Sequence, residues 1–260
     1  MTKPFLLLTN DDGIYAFGLR HLWEVVSEEF DVAIVAPKAE KSGCGLAITW
    51  DKPLIIQEIS WGKKTSAWCL NGTPADCVKM GLGTLLSKKP NLIISGINHG
   101  SNAGRTALNS GTVGGVIEGA LKGIPGIAFS FVGDVEPPLE MTKPYILSLI
   151  HHLLKNPLPV GTILNVNFPE SGEIKGLRFA RQGRARWVEK PDRRIHPQGD
   201  PYYWLGGTWE TKEEEPESDV FLLGQGYVTA VPIHIAELTD EEALQSLLAF
   251  QSDAFLTRPI

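Results

Sequence analysis

Two adjacent carboxylates, Asp11 and Asp12, sit in N-D-D-G directly after the apolar run F-L-L-L. Ser42 follows a second apolar run, D-V-A-I-V-A-P, within the loop K-S-G-C-G. Asn98, His99 and Asn102 follow a third, N-L-I-I-S, within G-I-N-H-G-S-N. Continuous apolar runs of this length mark strands buried on both faces of a parallel sheet. In an open α/β sheet, ligands bind at the carboxyl ends of the strands. Three strand ends would therefore deliver two carboxylates, a hydroxyl and an amide to one place. All are hard oxygen donors, which suit Mg²⁺ or Mn²⁺, whereas zinc favours His and Cys. Asn-Asp-Asp-Gly is also good turn chemistry, so the acidic pair by itself reads equally well as a bend. Taken with Ser42 and Asn98 it reads as a metal site.

A second constellation is N-S-G-T-V-G-G, residues 109–115. Ser110 or Thr112 can cap a helix there, and the glycines leave the first N–H groups uncovered. Such a helix end attracts anions. Metal ligands facing a phosphate-grade helix end point to phosphoryl transfer to water, with the cation polarising a phosphoryl oxygen. Asp11 or Asp12 is then a base or a nucleophile, with Asn98 beside them. Asn10, Gly43, His99, Asn102, Ser110, Gly111 and Thr112 are candidates for holding phosphate or substrate.

Other chemistries lack their motifs. There is no G-x-x-x-x-G-K-[ST], no strand-borne G-x-G-x-x-G, no G-x-S-x-G elbow, and no D-x-D after the first strand. A net charge of −6 argues against a polyelectrolyte binder of nucleic acid. Three cysteines without a C-x-x-C suit a reduced cytoplasmic setting better than a disulfide framework. The first apolar stretch is too short for a signal segment, and no run reaches the ~18 residues of a membrane helix.

The elements that must position these residues alternate. Leu19, Leu22, Trp23, Val26 and Phe30 recur at helical spacing between the first two strand runs, which makes a βαβ unit. Residues 47–59 read as two extended segments around Asp51–Pro53, followed by the strand S-A-W-C-L. Thr73, Pro74 and Asp76 form a capping box that opens a helix running through Val78, Leu82, Leu85 and Leu86. Further strands are expected at I-P-G-I-A-F-S-F, T-I-L-N-V-N-F and G-Y-V-T-A-V-P-I, with helices at 113–121 and 138–155. The pattern predicts an α/β fold with a doubly wound, mostly parallel sheet. Residues 184–218 lose periodicity and read as an extended loop or β-arm, in which K-E-E-E-P-E-S-D is expected to be solvated surface. Trp187, Tyr202, Tyr203, Trp204 and Trp209 there suit packing against a neighbouring subunit. A last helix is expected to open with a box at Thr239–Glu242 and to bury Leu244, Leu247, Leu248 and Phe250. The expected division is a core at 1–183, an arm at 184–226, and a returning strand and helix at 227–260.

Together, L-L-T-N-D-D-G-I-Y-A-x-G-L, V-A-P-x(4)-S-G, N-G-T-P-A-D-C-V, I-S-G-I-N-H-G-x-N and S-G-T-V-G resemble the SurE (survival protein E) family of metal-dependent 5′-nucleotidases. L-N-V-N-F-P and S-D-x(6)-G-Y-V-T-A-V-P extend the resemblance almost to the C-terminus. It implies a Rossmann-like core, hydrolysis of nucleoside 5′-monophosphates, and one divalent cation per subunit held by Asp11, Asp12, Ser42 and Asn98. It also implies a homodimer or homotetramer with C-terminal segments exchanged between subunits. Alternatives are a broader phosphatase acting on 3′-nucleotides or short polyphosphate, and a non-catalytic nucleotide sensor. Phe17 departs from the proline usual in the family, and A-G-R-T-A-L-N lacks the acidic residue usual there.

Overall fold

The computed structural model describes residues 3–62, 65–133, 139–170, 174–211 and 214–254. The first eight strands are β1 (Phe5–Thr9), β2 (Asp31–Pro37), β3 (Ile56–Ser60), β4 (Ser66–Leu70), β5 (Leu92–His99), β6 (Gly126–Phe131), β7 (Thr162–Phe168) and β8 (Leu177–Phe179). An arm carries β9 (Arg186–Glu189), β10 (Asp192–Ile195), β11 (Pro201–Trp204) and β12 (Gly207–Glu210), and β13 (Val228–His234) returns to the main sheet. The main sheet runs β3-β4-β2-β1-β5-β6-β7-β13-β8. From β4 to β7 every pairing is parallel. β3 and β13 pair antiparallel with β4 and β7 respectively.

The chain leaves β1 towards β2 on one side and comes back to β5 on the other, so the order reverses between β1 and β5. A doubly wound sheet opens a crevice at such a reversal. Helices α1 (Phe17–Val26), α2 (Pro74–Met80), α3 (Gly111–Ala120) and α4 (Lys143–Lys155) cover the sheet. Strand alternation supplies both layers. Leu6 and Leu8 of β1 join Leu19, Leu22, Ile146 and Ile150 of α1 and α4 in one apolar cluster. Leu7 joins Val78, Val113 and Val116 of α2 and α3 in the other. Short α5 (Asp219–Gly224) and the final α6 (Glu241–Ala254) complete the fold. Among the described residues, no helix is long and apolar enough to cross a membrane.

The capping box at α2 is present, with Asp76 N–H donating to Thr73 Oγ1 and the Asp76 carboxylate accepting from Thr73 N–H. Several local expectations need correction. Of the two extended segments expected over 47–59, only the second is a strand, β3; residues 47–55 form none, because Asp76 and Asn71 take the N–H groups of Thr49 and Ile55 that a ladder would use. The helix after Thr73 changes at Gly81 into a wider π turn over Gly81–Leu85. A 3-10 turn at Leu139–Thr142 precedes α4, which begins at Lys143, and residue 138 lies outside the described residues. α6 is capped by Asp240, which accepts from Ala243 N–H at 2.9 Å, because Thr239 N–H is taken by Glu237. Leu244, Leu247 and Leu248 are exposed rather than buried, since among the described residues no apolar layer packs over that face of α6. The side chain of Phe250 lies outside the described residues.

The arm is a folded-back antiparallel ribbon, with β9 paired to β12 and β10 to β11. Its base is not simple solvated surface. Glu214 accepts from the N–H groups of Arg184, at 2.7 Å, and Ala185. Asp219 is fully buried and accepts from Gly104, Gly183 and Val220 N–H groups and the Gln182 amide. A carboxylate surrounded by donors can be buried where a bare one cannot. The Asp219 clasp fixes the arm to the loop after β5.

Candidate functional site

Asn10, Asp11 and Asp12 occupy the carboxyl end of β1, next to the β1/β5 reversal. The Asn10 side-chain amide donates to the Gly13 carbonyl at 2.9 Å, which closes the turn. Gly13 sits at φ +102°, a conformation open to glycine. Ile14 N–H then bonds the Pro37 carbonyl at 2.8 Å, locking the turn to the end of β2.

The two carboxylates meet different neighbours. Asp11 is almost fully buried, and Thr112 Oγ1 donates to its Oδ1 at 2.5 Å. Burial pushes the Asp11 carboxyl up, while the Thr112 hydroxyl and the N–H groups of Gly111 and Thr112 oppose the rise. The first turn of α3 thus already faces a carboxylate of the site. Ser110 is the cap, its hydroxyl accepting from Val113 N–H at 3.1 Å. Asp12 leans the other way and accepts from His99 N–H at 3.4 Å. Its carboxyl is pushed up to about 6 by burial and by the charge of Asp11. No Lys or Arg ion pair involves either carboxylate among the described residues.

The Asn98 amide nitrogen donates to the carbonyls of His99, at 3.3 Å, and Gly100, at 2.7 Å. That engagement leaves its side-chain oxygen for a ligand. The His99 ring is on an exposed residue, and only its backbone N–H reaches Asp12. Ser42 is exposed and donates to Glu40 at 2.7 Å. Its loop is nonetheless held at the site, because Lys41 N–H bonds the Asp11 carbonyl at 2.7 Å and Gly45 N–H bonds Asn109 at 2.9 Å. Gly43 lies in the same loop at φ +73°. Glycines allow this closeness: a Cβ on Gly111 would lie 2.8 Å from both Asp11 Cβ and Cys44 Sγ. One on Gly114 would lie 2.2 Å from the Gly45 carbonyl oxygen.

Asn102 is buried and organises a polar layer behind the pair. Its side-chain nitrogen donates to Ser130 Oγ at 2.7 Å and approaches Thr112 Oγ1 at 3.5 Å. Its N–H donates to Asn167 Oδ1 at 2.8 Å, and its carbonyl accepts from the Asn165 amide at 2.9 Å. Asn165, Asn167 and Ser130 were not among the candidates drawn from the sequence. Their signal is two asparagines alternating in L-N-V-N-F, a strand buried throughout; polar side chains there must be satisfied.

The donor set is therefore two raised carboxylates without a cationic partner among the described residues, plus an amide oxygen and a nearby hydroxyl. It fits a hard divalent cation, whose charge would favour the ionised form of both carboxylates. Among the described residues, no group of three or more His, Cys, Asp and Glu side chains could hold a metal; the set here has only two such residues.

The model of the family described as survival protein SurE matches residues 6–189. The chain is 45% identical over 256 residues to the 5′-nucleotidase SurE of Protochlamydia amoebophila, covering 96% of this chain and 98% of that one. It is 42% identical over 250 residues to the 5′-nucleotidase SurE of Moorella thermoacetica, covering 95% and 96%. The crystal structure of the SurE protein from Aquifex aeolicus superimposes with a TM-score of 0.82 at 35% identity, covering 95% of this chain and 100% of that one.

Proposed function

This chain belongs to the survival protein SurE family, and on that premise we propose that it hydrolyses nucleoside 5′-monophosphates to nucleoside and phosphate. The observation that carries the reading is the Asp11–Asp12 pair at the β1/β5 reversal, tied to α3 through Thr112 and to the end of β5 through His99. The activity in the names of the relatives supports it. Asp11, Asp12, Asn98 and Ser42, once turned from Glu40, would hold one Mg²⁺ or Mn²⁺. Bound there, the cation would supply positive charge for a phosphoryl oxygen and for an attacking group.

The remaining work falls to the chain. Asp11 and Asp12 supply negative charge and, from one of them, a proton acceptor or nucleophile at the phosphorus. Thr112, itself approached by Asn102, hydrogen-bonds Asp11 and so sets its orientation before substrate arrives. The loop around Gly43 supplies N–H donors for phosphoryl oxygens, because the Asn98 amide nitrogen is taken by the His99 and Gly100 carbonyls and the first N–H groups of α3 by Asp11 and Ser110. Asn10 holds the turn that presents both carboxylates.

We place the protein in the cytoplasm as a homodimer or homotetramer, with residues 184–226 as its arm and 227–260 as an exchanged segment. Three free thiols and the apolar side chains exposed on the arm and α6 support this. The deciding experiment measures phosphate released from AMP after chelation, with Mg²⁺ or Mn²⁺ added back. Release that survives chelation would overturn the proposal. Turnover of a 3′-nucleotide or tripolyphosphate equal to that of AMP would replace it with a broader phosphatase.

A further inference from the structure

Lys88 and Lys89 precede β5, Lys122 lies between α3 and β6, and Lys79 is in the last turn of α2. β5 pairs parallel with both β1 and β6. These lysines therefore gather at the amino edge of the sheet, opposite the carboxyl edge that carries Asp11, Asp12 and Asn98. From Leu92 to Asn98 a strand rises by about 20 Å, so the two regions are separate.

A cavity of about 590 Å³ opens at the amino edge, large enough for a small molecule. Lys79, Lys88, Lys89 and Lys122 line it, over a floor of Leu82, Leu86 and Ile124. Ser87 brings a hydroxyl, and no carboxylate is among the lining residues. The whole chain carries a net charge of −6, so this excess of cations is local. Ammonium groups gathered in one depression repel one another, and an anion shared between them relieves the repulsion.

The four lysines are not equally free. Lys79 Nζ lies 2.8 Å from Glu118, whose buried carboxylate would be left uncompensated without it. Lys88 lies 3.5 Å from exposed Asp31 and over the Phe5 ring, and a surface pair of this kind contributes little. Lys89 donates to the Lys122 carbonyl at 3.3 Å, which holds it beside the turn after α3. Among the described residues, no carboxylate pairs with Lys89 or Lys122. Helix-end electrostatics accounts for Lys79 and Lys122, at the ends of α2 and α3. It does not account for Lys88 and Lys89, which stand beyond the π turn.

We propose that this cavity binds a condensed phosphate anion, one with several linked phosphoryl groups, through Lys88, Lys89 and Lys122. Lysine binds phosphate as a point charge, so such a wall reads charge. Apart from the Ser87 hydroxyl, the lining side chains offer no acceptor to a sugar or a base. The recognised part is therefore the phosphate chain and not a nucleoside. The site stands apart from the carboxylate pair, and the proposal does not depend on hydrolysis there.

The test titrates inorganic tripolyphosphate into the full-length protein stripped of divalent ions, read by calorimetry. Without a cation, Asp11 and Asp12 repel the probe, so binding reports on the lysines. The Lys89→Ala, Lys122→Ala double variant is expected to bind at least about tenfold more weakly than wild type, with Lys89→Arg, Lys122→Arg restoring most of the loss. Both positions are exposed, so the fold is kept, which circular dichroism checks. The Lys155→Ala, Lys190→Ala variant makes the same change in net charge at exposed positions outside the cavity and is expected to stay within about twofold of wild type. ATP as the probe separates the two sources of such an anion: affinity equal to that of tripolyphosphate shows that a nucleotide's phosphate tail suffices, and weaker binding shows preference for the inorganic chain. Absence of binding to the wild type, binding unchanged by the Lys89, Lys122 alanine pair, or an equal loss in the Lys155, Lys190 pair would overturn the proposal.

Discussion

Asp11 differs from an ordinary surface carboxylate because its surroundings were prepared for it. A buried carboxylate with few donors is driven towards its neutral form, and here Thr112 and the start of α3 hold it in place against that tendency. Asp11→Asn keeps the shape and removes the charge. Phosphate release from AMP is expected to fall more than about 100-fold, since several kcal/mol of charge stabilisation would depend on the cation proposed to bind there. Calorimetric titration should show divalent-ion affinity falling in parallel, with an unchanged circular dichroism spectrum. Thr112→Val keeps volume and loses the 2.5 Å bond. Its expected cost is about tenfold in activity or ion affinity, with Thr112→Ser recovering most of it. If Thr112→Val behaved as wild type in both assays, the hydroxyl would be a helix-end ornament and not a positioning group.

The same separation between group and support recurs in the elements. α3 can lie against the Ser42 loop only because Gly114 has no side chain, its absent Cβ falling 2.2 Å from the Gly45 carbonyl oxygen. Gly114→Ala must push that loop outward. A loss of about 1–3 kcal/mol is expected, with weaker divalent-ion binding, because the displaced loop carries Ser42. Gly83→Ala, where a Cβ would meet nothing within 4 Å, is the control and should leave both unchanged. At the start of α2, burial pushes the Asp76 carboxyl up, but hydrogen bonds from Thr49 and Thr73 outweigh it and hold the carboxyl below its ordinary value. A folded-state value below the unfolded one gives stability that is full above about pH 4 and is lost as pH falls through the folded value. Asp76→Asn should therefore melt lower at pH 7, by an amount that reflects about 1 kcal/mol, and the gap should close in melts recorded at increasingly acidic pH.

These elements also show how far the sequence could be read. F-L-L-L, D-V-A-I-V-A-P and N-L-I-I-S announce parallel strands because burial on both faces removes the polar alternation, and the T-P-A-D cap is local chemistry that needs no partner. Asp11, Asp12 and Asn98 were legible for the same reason, since each follows such a run. Asn165 and Asn167 were not, because their partners, Asn102 and Ser101, lie more than sixty residues away. Asp219 was hidden in an acidic run that looked solvated; only folding brings the Gly104 and Gly183 N–H groups to it. Of the two extended segments expected around Asp51–Pro53, only the second became a strand, because side chains at positions 71 and 76 capture backbone donors before it. Long-range polar satisfaction is the part that periodicity cannot carry.

At the scale of the whole molecule, the core is closed while, among the described residues, apolar side chains of α6 and the arm stay exposed. Leu244, Leu247 and Leu248 of α6 stand 37%, 64% and 47% exposed at a spacing that places them on one helical face. Tyr203 and Trp204 near the arm's far end are 61% and 63% exposed. Contiguous apolar faces of this kind mark association surfaces, and covering a leucine is worth about 1.5–3 kcal/mol. The Leu244→Glu, Leu248→Glu double variant removes two such contacts from each α6 without touching either core layer. Sedimentation equilibrium is expected to show a fall towards the protomer mass at micromolar concentration, with the helical circular dichroism signal kept. Because the carboxylate pair and its supports all belong to one chain, dissociation alone should leave divalent-ion binding within about twofold, a change too small to reflect the loss of even one hydrogen bond to a charged group. An unchanged mass would show that α6 is not the assembly surface; a lost ion site would show that a second chain completes it.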